Sequence, residues 1–247
     1  MKIDYSNYRF SVKELILYIL EAVMFCLFIN YLFYKSPWFL FSVIPAVPVN
    51  MKIQKKLKIS RRKKKLGYDF KEALNCLSVA YRAGYSTENA FIETEKALCD
   101  TLGASNPLTH EFAYINQRVK MNAPIEGLIR DFAERSGVED IINFASVFTA
   151  AKRSGGNMAQ IIGSTASQIE EKIDVEREID MALASKKFEQ RIMSLMPFAI
   201  ILYMHAASYD LISVLYGSAI GVFVMTGILI IYAGAFILGN KIVTIEV

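Results

Sequence analysis

Apolar residues recur at helical spacing through the middle of the chain and run together at its two ends. Phe70, Ala73, Leu74, Leu77 and Tyr81 lie three and four apart, the signature of one buried helix face, and Gly84 stops the stripe. Ser86 offers a side-chain cap to a second helix carrying Phe91, Leu98 and Leu102. Residues 103–106 read as a loop, and Pro107 suits a first helical position ahead of Phe112, Ile115 and Val119. Asn122 supplies the next turn. Pro124 opens a short helix on which Ile125, Leu128, Ile129 and Phe132 share a face. Ser136 with Glu139 has the spacing of a capping box for a helix bearing Ile141, Phe144, Ala145, Phe148 and Ala151. Gly155 follows as a left-handed C-cap. Asn157, with Gln160 three residues on, then starts a helix whose stripe is Met158, Ile161, Ile162, Thr165, Ile169 and Ile173. No strand-like alternation of any length interrupts this order, so the middle of the chain is expected to hold about six helices.

The ends carry a different pattern. Residues 15–34 are mostly Leu, Ile, Phe and Tyr, long enough for a bilayer core of roughly 30 Å, and lack the small-residue cleavage site of a secretory signal. A second apolar stretch over 38–49 is short and broken by Pro45 and Pro48. Two topologies compete there: a two-span hairpin turning at Lys35-Ser36-Pro37, which is the reading adopted, or one long or re-entrant insertion. No Gly or Pro falls between 164 and 196, so the helix begun at Asn157 is expected to lead directly into the apolar segment 192–207. Pro197 within it should kink the helix unless neighbours satisfy the freed carbonyl. The loop at Ser208-Tyr209-Asp210 has no Lys or Arg, and 215–238 returns across the membrane. Ser213, Gly217 and Gly221, four apart, make one helix face smooth enough for close contact, with Ala235 and Gly239 extending it. The expected fold is therefore an all-α membrane protein. An antiparallel cytoplasmic bundle of about six helices lies between N-terminal and C-terminal transmembrane hairpins. The expected divisions are an N-terminal membrane part (1–50), a basic juxtamembrane strip (51–66), a helical domain (67–191) and a C-terminal transmembrane pair (192–240).

Composition sharpens this division. A mean hydropathy of +0.30 with 53% hydrophobic residues is too apolar for most soluble chains, and the excess is concentrated at the ends. Cys26, Cys76 and Cys99 are an odd, scattered set, expected to be reduced and buried. The net charge of +4 hides a strong asymmetry: residues 51–66 hold nine basic and no acidic side chains, whereas 67–191 hold 14 basic against 19 acidic. The strip of Lys52, Lys55, Lys56, Lys58, Arg61, Arg62, Lys63, Lys64 and Lys65 places the middle domain, and with it both termini, on the cytoplasmic side. The same residues could meet anionic lipid head groups, at roughly 1 kcal/mol each near the surface. Nucleic acid is the poorer partner for a basic run beside a span.

Sequence signatures of catalysis are missing: there is no phosphate loop, no nucleophile elbow and no His-Glu-x-x-His pair. His110 and His205 fall in different compartments, and no metal or cofactor site is expected. Glu170, Glu171 and Asp174, with Glu176, Glu178 and Asp180, alternate with Lys172 and Arg177 along the long helix. Such a face is either solvated or an acidic docking surface for a basic partner. Glu21 and His205 are ionisable residues in apolar segments, read as interface or inter-helix polar contacts or as members of a proton relay. They would serve the rival function, a small membrane transporter or sensor. Finally, residues 80–86 (Ala-Tyr-Arg-Ala-Gly-Tyr-Ser) and 151–157 (Ala-Lys-Arg-Ser-Gly-Gly-Asn) share the order Ala-x-Arg-small-Gly-x-cap. They are either two copies of one helical corner or two instances of ordinary helix punctuation.

Taken together, Tyr81-Arg82-Ala83-Gly84-Tyr85-Ser86, Arg153-Ser154-Gly155-Gly156-Asn157-Met158-Ala159 and Ala182-Leu183-Ala184-Ser185 leading to Pro197 resemble the F-domain family of type II secretion and type IV pilus systems. Within it the chain looks most like the platform proteins of tight-adherence pili, which carry one F domain between N-terminal and C-terminal spans. The sequence departs from the family at Met121-Asn122-Ala123-Pro124, where Gly is more usual; Asn tolerates the left-handed conformation next best. The resemblance implies an inner-membrane platform without catalysis of its own. It would contact a cytoplasmic secretion ATPase, a second platform protein or further copies of itself, and pilin subunits leaving the membrane. Arg82, Gly84, Arg153, Gly155, Gly156 and Asn157 at the two corners, with Glu170, Glu171 and Asp174, are the expected partner-binding residues.

Overall fold

A computed structural model describes Tyr5 and residues 10–34, 43–155, 157–207, 216 and 218–243. Among them no strand is present. The helices are α1 (Val12–Ile29), continued by a π-helical turn (Asn30–Tyr34), α2 (Val43–Arg82), α3 (Thr87–Leu102), α4 (Pro107–Val119), α5 (Ile125–Ser136), α6 (Glu139–Ser154), α7 (Met158–Ala207) and α8 (Ala219–Val243). The expected all-α architecture is thus present, with apolar helices towards both ends of a helical domain. The chain divides into two compact units: Met1–Arg9 with Lys55–Val175, and Phe10–Gln54 with Glu176–Val247.

The first unit is built on phenylalanine. Phe70 of α2 meets Phe144 of α6 edge-on at 5.3 Å, and Phe91 of α3 stacks on Phe112 of α4 at 5.5 Å. Phe148 of α6 stands edge-on to Phe91 at 5.9 Å. All five rings, with Phe132 of α5, are buried in one continuous core that also takes Leu74, Leu77, Ile115, Ile129, Ile141 and Ile162. These are stripe positions of the helical pattern, and each ring pair adds about 0.5–1.5 kcal/mol beyond the area it removes from water. Successive helices pack on one another, α3 on α4, α4 on α5 and α5 on α6, as short loops require.

Buried polar residues tie neighbouring helices together. Asn116 of α4 donates to the Phe91 carbonyl at 3.0 Å and to Glu95 at 2.6 Å on α3. Glu111 of α4, only 3% exposed, takes a two-pronged pair of hydrogen bonds from Arg135 of α5 at 2.9 and 2.7 Å. Arg135 also donates to Asp131 at 2.9 Å, and these acceptors push its guanidinium pKa further up.

Local signals fix most boundaries. Gly84, Gly137 and Gly155 take positive φ, and among the described residues Asn122, at φ 62°, does so without a glycine's freedom. Asn106 caps α4 through Leu108 N–H at 2.8 Å, ahead of Pro107. One boundary corrects the sequence reading. Ser136 is not the cap of α6 but the buried last residue of α5, its hydroxyl turned back to the Ala133 carbonyl at 2.8 Å. The left-handed Gly137 ends α5, and α6 starts after Val138 without a side-chain cap.

The basic strip, 51–66, is helical. It belongs to α2, a single helix of 40 residues. Pro45 lies in its first turn, where the missing N–H has no intrahelical partner anyway, whereas Pro48 removes one bond. The turn expected at Lys35-Ser36-Pro37 lies outside the described residues.

In the second unit, α1 with its π-turn and α8 are long and apolar enough to cross a membrane, with mean hydropathies of 2.2 and 2.4 over 23 residues each. Most of their side chains face outward, as a lipid-facing surface does. Ile29, Leu32, Phe33 and Tyr34 form a small core with Met225, against which Phe198, Ile201 and Tyr216 pack. Helix α7 passes through Pro197 without an assigned break. Close by, Tyr232 of α8 donates to the Ser194 carbonyl at 2.7 Å and sets its ring edge-on to Phe198 at 5.2 Å. The carbonyl that Pro197 frees is that of Met193, one residue before the one Tyr232 engages. Of the small residues expected to allow close approach, Gly221 is buried, and a Cβ on Gly239 would lie 3.1 Å from Gln190 of α7. Ser213 and Gly217 lie outside the described residues.

Candidate functional site

The two corners share a left-handed glycine followed by a polar cap, but their backbones close differently. At the first, Tyr85 N–H reaches the Ala80 carbonyl at 3.2 Å and Gly84 N–H the Tyr81 carbonyl at 3.0 Å, a Schellman pair. At the second, Gly155 N–H returns to the Ala151 carbonyl, four residues back. Ser86 accepts from Asn89 N–H at 3.4 Å and Asn157 from Gln160 N–H at 3.2 Å. The hydrogen bonding thus follows general helix-ending rules at each corner. Gly156 lies outside the described residues.

Two of the expected residues, Arg82 and Asn157, meet at one place. Together with Ala159, Gln160, Gly163, Ser164 and Ser167 they line an open cleft of about 510 Å³ between the end of α2 and the first turns of α7. Its floor is a close helix contact. Ser78, 1% exposed, lies against α7 with its hydroxyl 3.5 Å from the Ala159 carbonyl, and a Cβ on Gly163 would stand 3.1 Å from that hydroxyl. Arg82 donates back to Ser78 through Nη2 at 2.9 Å and Nε at 3.3 Å, so the exposed guanidinium is held along the cleft wall. Gly163 was not singled out in the sequence, although a glycine in the second turn of a strongly periodic helix is itself a sign of close packing.

Arg153 is exposed at the end of α6. Beside it Lys152 pairs with Glu126 of α5 at 3.1 Å. The Glu126 carboxyl is held below its ordinary range, first by the backbone amide it accepts from and then by Lys152. Along α7, Glu170 is engaged by Lys71 of α2 at 2.7 Å, and Glu171 and Asp174 are exposed. Lys172 bridges to Asp140 of α6 at 3.0 Å. The acidic face is therefore partly committed to holding α7 on its neighbours. In the basic strip, Lys63 donates to the Gly137 carbonyl at 3.1 Å, and Lys64 lies 5.8 Å over the Tyr68 ring. Nine cations on one helix, five of them consecutive, point to every side of it, so they cannot all meet one surface.

The thiols are free; Cys26 is buried, but Cys76 and Cys99 are only half-buried. Burial pushes the Cys76 thiol up, which keeps it protonated and unreactive. Among the described residues no group of His, Cys, Asp and Glu is placed to hold a metal.

Glu21 and His205 do not form a relay. Glu21 is exposed on α1, while His205 stacks on Tyr31 at 5.9 Å and lies 5.4 Å from Tyr216. Ten residues separate Glu21 from Tyr31, about 15 Å along a helix axis, beyond any direct proton transfer.

A cleft lined from two helix corners thus lies in an all-helical chain that also holds two helices long and apolar enough to cross a membrane. The family model described as Type II secretion system (T2SS), protein F, matches residues 56–206, more than half of the chain, and the chain belongs to that family. Its class is that of the membrane platform proteins of secretion and pilus machines. Neither a curated relative nor a solved structure matches the chain.

Proposed function

We propose that this chain is the inner-membrane platform of a tight-adherence pilus assembly or type II secretion-like system. Its helical domain, residues 67–191, faces the cytoplasm, meets a secretion ATPase and passes that enzyme's movement to pilin subunits being drawn from the membrane. The chain works by contact rather than catalysis. The observation that carries this reading is α7: one helix of 50 residues supplies a wall of the Arg82–Asn157 cleft at its start and the apolar segment around Pro197 at its end. A partner that shifts the first turns of α7 therefore acts on the same helix that carries the apolar segment.

In this reading Arg82 and Arg153 are the cations offered to the partner at the corners, with Gly84, Gly155, Gly156 and Asn157 shaping the backbone around them. Glu171 and Asp174, and in part Glu170, are the acidic contacts along α7. The strip from Lys52 to Lys65 sets orientation, and those of its cations that share one face of α2 meet anionic lipid. A second platform protein or further copies of this chain complete the assembly.

The test is photo-crosslinking in native membranes from a benzoylphenylalanine placed at Glu171. The expected adduct is a phosphate-loop ATPase encoded beside this gene, with its yield lowered at least several-fold when Arg82 and Arg153 are both changed to Glu. An adduct pattern without the ATPase, in cells that assemble the pilus normally, would overturn the proposal.

A further inference from the structure

The first unit includes a side chain from far outside its continuous sequence. Tyr5 precedes the first apolar helix, yet it is 2% exposed and belongs to the core of residues 55–175. Its ring stands edge-on to Phe132 of α5 at 6.4 Å, and Phe132 in turn lies 6.4 Å from Phe70 of α2. Around the phenol are the charges of Glu111, Arg135 and Arg62, on α4, α5 and α2. Among the described residues the buried hydroxyl finds no hydrogen-bond partner. What holds Tyr5 is therefore its ring rather than its oxygen, since burying an unpaired hydroxyl opposes docking.

We propose that Tyr5, ahead of α1, is a working part of the helical domain, anchored in a socket formed by α2, α4 and α5. Two consequences follow. The N-terminus lies on the same side of the membrane as residues 55–175, so the chain between Phe10 and Gln54 must leave that side and come back to it. The domain also gains a covalent link to the first apolar helix besides α2, and that link ends beside the Glu111–Arg135 pair joining α4 to α5. The inference stands on the burial of Tyr5 alone and is independent of which machine the protein serves.

The experiment uses the full chain. In detergent micelles, Tyr5→Phe keeps the thermal midpoint or raises it slightly, because the hydroxyl contributes no bond. Tyr5→Ala empties the socket and lowers the midpoint by roughly 10 °C. Benzoylphenylalanine at position 5 gives intramolecular crosslinks to peptides within 111–135. With Cys26, Cys76 and Cys99 changed to Ser, single cysteines in place of Lys2 and Glu88 react with an impermeant reagent from the same side of the membrane. An unchanged midpoint for Tyr5→Ala, crosslinks to lipid instead of α4 and α5, or labelling from opposite sides would each overturn the proposal. If Tyr5→Ala does not fold, the crosslinking and labelling arms still decide.

Discussion

Gly155 is the residue at which the corner can be tested most cleanly. It sits at φ 67°, ψ 23°, and its N–H closes the C-cap on the Ala151 carbonyl. A Cβ added there would meet nothing within 4 Å, so a substitution is penalised by backbone conformation and not by crowding. Placing an L-residue in the left-handed region costs about 1–2 kcal/mol. Losing the glycine's freedom in the unfolded chain returns about 0.4–1 kcal/mol of that. Gly155→Ala should therefore destabilise by roughly 1 kcal/mol, and Gly155→Asn by less, because its short amide bonds locally in that conformation. Gly155→Val should cost about 2 kcal/mol or more, since a β-branched side chain is a true outlier there. Gly155→Lys, long but unbranched, should behave like Ala. Thermal unfolding of the full chain, read beside pilus or secretion output, gives the ranking Asn, Ala with Lys, then Val. A ranking by side-chain size instead, with Lys worse than Val, would refute the conformational argument and point to a partner pressed against the corner. Val indistinguishable from Asn would refute it outright.

Three further outcomes follow from particular contacts. Arg135→Ala leaves the buried Glu111 carboxylate unpaired and should cost about 3–5 kcal/mol in denaturant unfolding, while Arg135→Met combined with Glu111→Leu recovers most of it; equal losses in the single and double variants would contradict this. Gly163→Ala should be near neutral, a helix-propensity gain of up to about 1 kcal/mol set against the 3.1 Å approach to Ser78, whereas Gly163→Leu should cost about 1–3 kcal/mol and lower ATPase crosslinking from Glu171. Glu126, with its folded pKa below the ordinary 4.5, contributes stability above that value that is lost as pH falls through the folded one. Glu126→Gln should therefore flatten the fall in thermal midpoint below about pH 5, and an unchanged acid profile would show that the carboxylate has no part in it.

The sequence exposes the core of this fold because helical burial leaves a period behind. Phe70, Phe91, Phe112, Phe132, Phe144 and Phe148 all fall on stripes that can be read at intervals of three and four, and all are buried. Punctuation is legible where glycine or asparagine must take positive φ, as at Gly84, Asn122 and Gly155. It misleads at Ser136, because the spacing Ser-x-x-Glu is satisfied on paper while the serine lies on the buried face of α5 and bonds backward. Only packing decides which face that is. The continuity of α2 was obscured for a different reason. A block of like charges and two prolines suggest a break, yet Lys and Arg are good helix formers, and each repulsive pair costs only a few tenths of a kcal/mol.

What leaves no period is any pairing between residues far apart in sequence. Arg135 and Glu111 are separated by 24 positions, and each taken alone resembles an ordinary surface charge on an amphipathic helix. Tyr5 is one of three aromatics, with Tyr8 and Phe10, among the mostly polar residues ahead of α1, and nothing local marks it for a core whose next member is Leu66. The cleft lies between these extremes. Arg82 and Asn157 were singled out as separate corner residues, but the contact that brings them together is made by Ser78 and Gly163, one hydroxyl and one missing Cβ 3.1 Å apart. A side chain reports its periodicity through what it buries; a glycine at a close approach reports only by what its absence of atoms permits. Residues that set the distance between two helices are thus the hardest to see in sequence, and here they are the ones that bring Arg82 and the Asn157 cap into one cleft.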